Sequence, residues 1–160
     1  MILSTHAIVG GALASLFPSH PVAIIAAGLA SHFAIDAIPH WDYRLRSISV
    51  APGARNQLTL DGALLHDMAL IGLDGCAGLA LAIGLFATPA TVAAIVLGAL
   101  AAMLPDPLQF VHTLYPREPL SSLQSFHRWI HTKRQLGWRI GVSSQIAFVV
   151  AVVGVMAVLR

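Results

Sequence analysis

Charge is what this sequence has least of. Asp, Glu, Lys and Arg make up 10% of its 160 residues, whereas 57% are hydrophobic. The mean hydropathy is +0.78. That balance excludes an ordinary soluble domain and points to a membrane protein. Residues 75–104 and 140–159 contain no charged side chain. A hydrocarbon core about 30 Å thick takes roughly 20 helical residues to cross, and nothing here alternates like a barrel strand. Cysteine is nearly absent too: Cys76 stands alone in an apolar segment, so no disulfide forms within the chain. The opening MILSTHAIVGG lacks a positively charged leader region and reads as a first membrane helix. There is no Gly-rich phosphate loop, and neither Ser31 nor Ser122 sits in a nucleophile elbow. The cations are few and follow membrane topology, which leaves nucleic-acid binding unsupported.

What is there is helix. The expectation is an all-α, single membrane domain of about five apolar helices, at 5–17, 22–37, 60–86, 90–104 and 140–159. Pro and Gly punctuate the breaks at 17–21, 39, 51–53, 87–90 and 105–107. Two hairpins result, 5–37 and 60–104, with loops at 38–59 and 105–139. Both loops carry the cations (Arg44, Arg46, Arg55; Arg117, Arg128, Lys133, Arg134, Arg139), and the turns 18–21 and 87–89 carry none. The positive-inside rule puts the loops and the N-terminus in the cytoplasm. Within the second loop, Leu123, Phe126 and Ile130 share one side of a helix over 122–134, which reads as amphipathic and interfacial. At an offset of 70, Gly28 and Asp36 match Gly98 and Asp106, which suggests two similar hairpins.

On that topology the polar residues converge. His6 begins the first helix. His32, Asp36, His40 and Asp42 gather at the end of the second, and Asp61, His66 and Asp67 at the start of the third. Asp106 ends the fourth, His112 follows, and His127 and His131 lie on the interfacial helix. Only His20 falls on the far face and only Asp74 lies deep in a helix. Ionisable groups at a membrane are costly and are usually paired or functional. Histidine with carboxylate is a ligand set for zinc, manganese or iron. His32 and Asp36 are i,i+4, as are His127 and His131, so each pair can share an ion. The candidate ligands are His6, His32, Asp36, His40, Asp42, Asp106, His127 and His131. Arg128 is the candidate substrate cation, with Arg44 and Lys133 behind it, and His66 or Asp67 the candidate acid or base. Blander readings stand beside these. Trp41 and His40 suit an interface, Asp61 can cap a helix, and loop arginines attract anionic lipid. Asp74 fits a support for the ligands, a proton relay or a buried polar pair.

Three motifs resemble a family. Thr5-His6-Ala7-Ile8-Val9-Gly10 matches its early THxxxG, Leu104-Pro105-Asp106 its Leu-Pro-Asp, and His127-Arg128-Trp129-Ile130-His131 its HR…H element. The chain resembles the bacterial inner-membrane proteins described as membrane-bound metal-dependent hydrolases. These are remotely similar to the zinc-dependent phospholipase C and single-strand nuclease superfamily. That resemblance implies an all-helical fold, ligand roles at Asp106, His127 and His131, and one to three divalent ions, zinc foremost. The pattern departs in two places. After Asp106 the family's further Asp and His are replaced by Leu108 and Gln109, and the two histidines of the later element are four apart rather than five.

The resulting expectation is a hydrolase at the cytoplasmic membrane face that cleaves a phosphoester of a lipid head group through metal-activated water. Its partners would be membrane lipids and a phospholipid-type substrate, with a protein partner or homo-oligomer left open. Two other classes stay open: a non-catalytic membrane subunit with a structural metal or salt-bridge cluster, and a metal or proton transporter.

Overall fold

The computed structural model describes residues 1–47 and 61–159. Arg55, the break at 51–53, the expected helix start at 60 and Arg160 lie outside them. Among the described residues the secondary structure is helical throughout. The helices are α1 (Leu3–Ala14), α2 (Pro21–Asp36), α3 (Gly62–Phe86), α4 (Val92–Met103), α5 (Pro105–Leu114), α6 (Leu120–Ile130) and α7 (Trp138–Leu159). Their ends follow local chemistry. Pro21 and Pro105 open α2 and α5, where a missing N–H costs nothing. Asp61 caps α3, accepting from the N–H groups of Ala63 and Leu64 at 3.0 Å each.

The five apolar segments are all helical, but about five spans is too many. Among the described residues only α3 and α7, 25 and 22 residues long, are long and apolar enough to cross a membrane. A third crossing exists if α4 and α5, bent by 45° at their break, count as one. The shorter α1 does something else. Ten of the twelve residues of α1 are buried. A helix apolar all round is an interior element, and α1 packs against α2, α3, α4 and α7. Its apolar surface therefore faces protein, and spanning length is not required. Helix α5 occupies part of what the sequence reads as loop.

The central contact is backbone on backbone. A β-carbon on Gly10 of α1 would collide with the carbonyl oxygen of Gly98 on α4, and one on Gly98 with that of Gly10. Gly98→Val is expected to force these helices apart and cost about 1–3 kcal/mol, as overpacking does. Thermal unfolding in detergent checks it, and an unchanged midpoint contradicts the close approach. His6 lies one turn from Gly10, so the same contact fixes the depth of its ring.

Helix α6 is amphipathic in an inverted sense. It buries Gln124 and His127 inward, while Phe126 and Trp129 are 43% and 76% exposed. Apolar and aromatic groups facing out suit a membrane interface.

Candidate metal centre

Pro39 stops α2 one turn after Asp36, and the chain continues extended through His40, Trp41 and Asp42. The segment that follows α6 docks along it. Thr132 N–H donates to the Asp36 carbonyl at 2.8 Å, and Leu136 N–H to the His40 carbonyl at 2.9 Å. His40 and Gln135 form an isolated parallel bridge. From the other side Gly141 of α7 lets Trp41 lie against its backbone, where a β-carbon would collide with that of Trp41. These pairings carry residues about 95 positions apart to one pole of the bundle.

Asp36 is the hub. It is 1% exposed and ends its helix, where the dipole disfavours an anion. It is compensated by what surrounds it. Oδ2 lies 3.3 Å from His32 Nε2, 3.2 Å from His127 Nε2 and 3.9 Å from His131 Nε2. Oδ1 lies 3.2 Å from His6 Nε2 and 4.0 Å from His40 Nε2. His32 Nε2 is in turn 3.4 Å from His127 Nε2 and 3.7 Å from Asp106 Oδ1. A tetrahedral zinc with arms of 2.0–2.2 Å has ligand–ligand edges of roughly 3.3–3.6 Å. Among His32, Asp36 and His127 the edges are 3.2–3.4 Å, and Asp106 completes the set with its oxygen 3.7 Å from His32 Nε2 and all four ligand atoms within 4.8 Å of one another. A second set, Asp36, His40 and His131, shares the same carboxylate. Asp42 joins it, with Oδ2 at 3.0 Å from His40 Nε2 and 3.7 Å from His131 Nε2.

The outer ring nitrogens are equally telling. Nδ1 of His32 is 2.8 Å from the Ala102 carbonyl, that of His40 2.7 Å from the Ile38 carbonyl, and that of His131 3.0 Å from the Thr132 carbonyl. Each must donate there, which leaves the Nε2 lone pair turned toward Asp36. A metal-ligating histidine has this arrangement. His6 stacks on His32 with ring centres 4.1 Å apart. Both nitrogens of its fully buried ring lack a hydrogen-bond partner. The 3.2 Å approach of His6 Nε2 to Asp36 is a close contact without hydrogen-bond alignment. An orphaned buried imidazole facing a carboxylate fits a missing cation. The N-terminal ammonium of Met1 bonds to Asp36 and lies 3.0 Å from His40 Nε2 and 3.3 Å from Asp42 Oδ1, so the pole attracts positive charge. The donor set fits a borderline divalent ion of the zinc type.

Burial raises the Asp42 carboxyl, but the Met1 ammonium beside it acts the other way and the group stays below the ordinary carboxylate range. Burial, reinforced by Asp74, Asp106 and Asp42, pushes the Tyr43 phenol up, so it stays a neutral donor.

Several expectations change. Asp106 does not end a helix against the dipole; it sits in the first turn of α5, where the dipole favours it. His127 and His131 do not share a helix face. Helix α6 stops at Ile130, and His131 is its extended C-cap, so His127 joins the first set and His131 the second. His66 and Asp67 stand apart from both. Asp67 is fully buried and accepts from Arg46 N–H, Ser47 N–H and Ser47 Oγ at 2.7 Å each, with His66 Nδ1 at 3.2 Å. A carboxylate so occupied is a clasp for the 46–47 backbone, not a free base. Arg128 is exposed and lines the cavity beside the cluster, as does Lys133. Arg44 lines a different recess. His112 is half-buried on α5 and belongs to neither set, and His20 is exposed. Asp74 accepts from Ser4 N–H at 3.1 Å and so caps α1 across the bundle. That removes the main support for a transport pathway.

Sequence reading missed Gln145, which completes the α1 cap. It accepts from Ile2 N–H at 3.1 Å and Thr5 Oγ1 at 3.3 Å, and donates to the Trp41 carbonyl at 2.8 Å. The available signal was a buried-type amide within the charge-free run 140–159. Gln109, bonded to the buried Gln124, was missed as well. The cluster opens on a cavity of about 680 Å³ whose walls include Asp36, Asp42, Asp106, His127 and His131. No family model, curated protein or solved structure matches the chain.

Proposed function

We propose that this protein is a membrane-embedded, metal-dependent hydrolase that cleaves a phosphoester, with a lipid head group as substrate. One observation carries the reading: a single buried carboxylate, Asp36, is ringed by imidazole Nε2 atoms at ligand–ligand distances and faces a cavity flanked by Arg128 and Lys133. His32, Asp36, Asp106 and His127 would hold one ion. Asp36, His40, Asp42 and His131 would hold a second, with His6 beside Asp36. A bound zinc-type ion supplies Lewis acidity toward a phosphoryl oxygen and acidifies water.

The chain's own groups do the rest. Arg128 presents a planar guanidinium to a phosphoryl group, and Lys133 adds a second cation. Tyr43, a neutral phenol on the cavity wall, can donate to a substrate oxygen. The carbonyls of Ala102, Ile38 and Thr132 keep three imidazoles in the tautomer that leaves Nε2 free. Arg44, Arg46, Arg128, Lys133 and Arg134 lie on the segments next to the cluster, so the positive-inside rule puts this face in the cytoplasm of a bacterial inner membrane.

The test is turnover of phosphorylated lipids in mixed micelles with and without chelator. Activity is expected to fall at least about 100-fold on chelation, the scale of metal-site losses, and to return with zinc. Hydrolysis indifferent to chelator removes the proposal. A second reading has its own support. The Met1 ammonium bonds to Asp36 and lies 3.3 Å from Asp42 Oδ1, which favours a structural charge cluster in a non-catalytic subunit. Under that reading the protein binds no metal and turns over no phosphoester.

A further inference from the structure

The cavity beside the cluster is lined by two chemically distinct sets of residues. One is the ligand pole with Arg128 and Lys133. The other is apolar: Met68, Ile71 and Gly72 of α3, Phe110 of α5, and Leu45. Residues 68, 71 and 72 are spaced i, i+3, i+4, so they form one stripe of α3. That helix is apolar enough to cross a membrane, and Leu65, Met68 and Leu73 on it are 70%, 38% and 71% exposed. The stripe therefore joins the ligand pole to the outer surface of a spanning helix.

We propose that this stripe is a lane for the hydrocarbon chain of an anionic amphiphile, and that Gly72 sets the chain bulk it admits. The proposal rests on the reading of the cluster as a centre that binds phosphoryl groups. Two features favour this occupant over a small soluble phosphate. A soluble phosphoester has no use for an apolar wall contiguous with a cationic one, whereas an amphiphile needs both at once. The lane also runs onto the surface of α3 that a bilayer would cover, so a chain can slide from membrane to site without crossing water. Gly72 is the opening in the stripe. A β-carbon built there meets nothing within 4 Å, so the glycine is not required by packing of the fold. A large side chain at this position would stand in the lane itself and leave the helix able to form.

The test uses water-soluble alkyl phosphonates, which are not hydrolysed at the P–C bond. Methyl- and hexylphosphonate are titrated into the full-length protein in nanodiscs supplied with zinc, with empty nanodiscs as baseline. Wild type is expected to bind the hexyl compound at least about tenfold more tightly, since each buried methylene adds several-fold. Gly72→Phe is expected to bring that ratio to within about twofold while methylphosphonate binding stays unchanged, and Gly72→Ala to keep most of the preference. A thermal midpoint equal to wild type shows that Gly72→Phe is folded. A ratio near one in wild type, or an equal preference in Gly72→Phe, overturns the lane. Turnover is read separately. Chain-dependent binding without hydrolysis sinks the enzyme reading and leaves the lane standing; absence of phosphonate binding sinks both.

Discussion

Asp36→Ala is expected to remove all tightly bound transition metal, while His127→Ala and His40→Ala each remove only part. Wild-type protein purified without chelator should carry one to two equivalents of zinc or a similar ion by elemental analysis. The difference between variants follows from sharing. Oδ2 of Asp36 faces His32 and His127, and Oδ1 faces His6 and His40. Loss of this carboxylate removes a ligand from both sets at once and leaves imidazoles with no anion to offset a divalent charge. His127 is on one side only and His40 on the other. Each loss from a metal site typically weakens affinity 10–100-fold, and two sites losing their shared anion lose more. The control is fold. Asp36 is buried beside the Met1 ammonium, so its removal also takes a carboxylate partner from that charge. Asp36→Asn, which keeps the shape and one acceptor oxygen, should likewise lose metal while keeping a cooperative thermal transition. Equal and negligible metal in wild type and every variant means that the pole is a charge cluster and nothing more.

Asp67→Ala should behave in the opposite way. It is expected to lower stability by about 2 kcal/mol and leave metal content at the wild-type level. The carboxylate is buried and accepts three short hydrogen bonds from Arg46 and Ser47. Removing the acceptor leaves these partly buried donors unsatisfied, at about 1–3 kcal/mol for a buried group, and solvent entering the gap recovers part of that. A chemical-denaturation series in detergent, run beside elemental analysis, separates this role from catalysis. Loss of metal or of turnover at unchanged stability would restore Asp67 to the site. His66→Ala should change little in either measurement, because His66 is 42% exposed and its ring, 3.2 Å from Asp67, belongs to neither ligand set.

The two aspartates also explain what sequence reading can and cannot do here. Asp36 and Asp67 have the same pedigree: each sits near a helix end beside a histidine in an apolar chain. Asp36 is i,i+4 from His32, a relation that the α-helix itself guarantees, and the two atoms do meet at 3.3 Å. His66 and Asp67 are adjacent and point about 100° apart on a helix, and what Asp67 does depends on where residues 46 and 47 pass. The pair His127–His131 shows the converse failure. Its spacing promises a shared face, but the helix stops after Ile130 and the rings part by 5.8 Å, each to a different set. Spacing is informative only while the helix lasts.

The first, second and fourth apolar helices are short for full spans, and the sequence leaves open whether they tilt, thin the bilayer or pack inside a bundle. A run of apolar residues reads as a span whether lipid or protein surrounds it, since both are equally apolar. Only the packing of α1 against four other helices reveals that its greasy surface faces side chains. The order of residues puts Asp106 at the C-terminal end of the fourth helix, whereas the 45° break at Pro105 puts it in the first turn of α5.

Hydropathy, proline breaks and helical spacing are local properties, so the amino-acid order alone determined that the chain is helical and apolar and which titratable groups would be costly to leave unpaired. Grouping those residues around Asp36 was decided by the tertiary structure: by where α6 ends, and by how residues 131–136 lie along residues 36–40. Those contacts join segments about 95 residues apart. Their free energy comes from burying many weak interactions together, and no short stretch of sequence records such a sum.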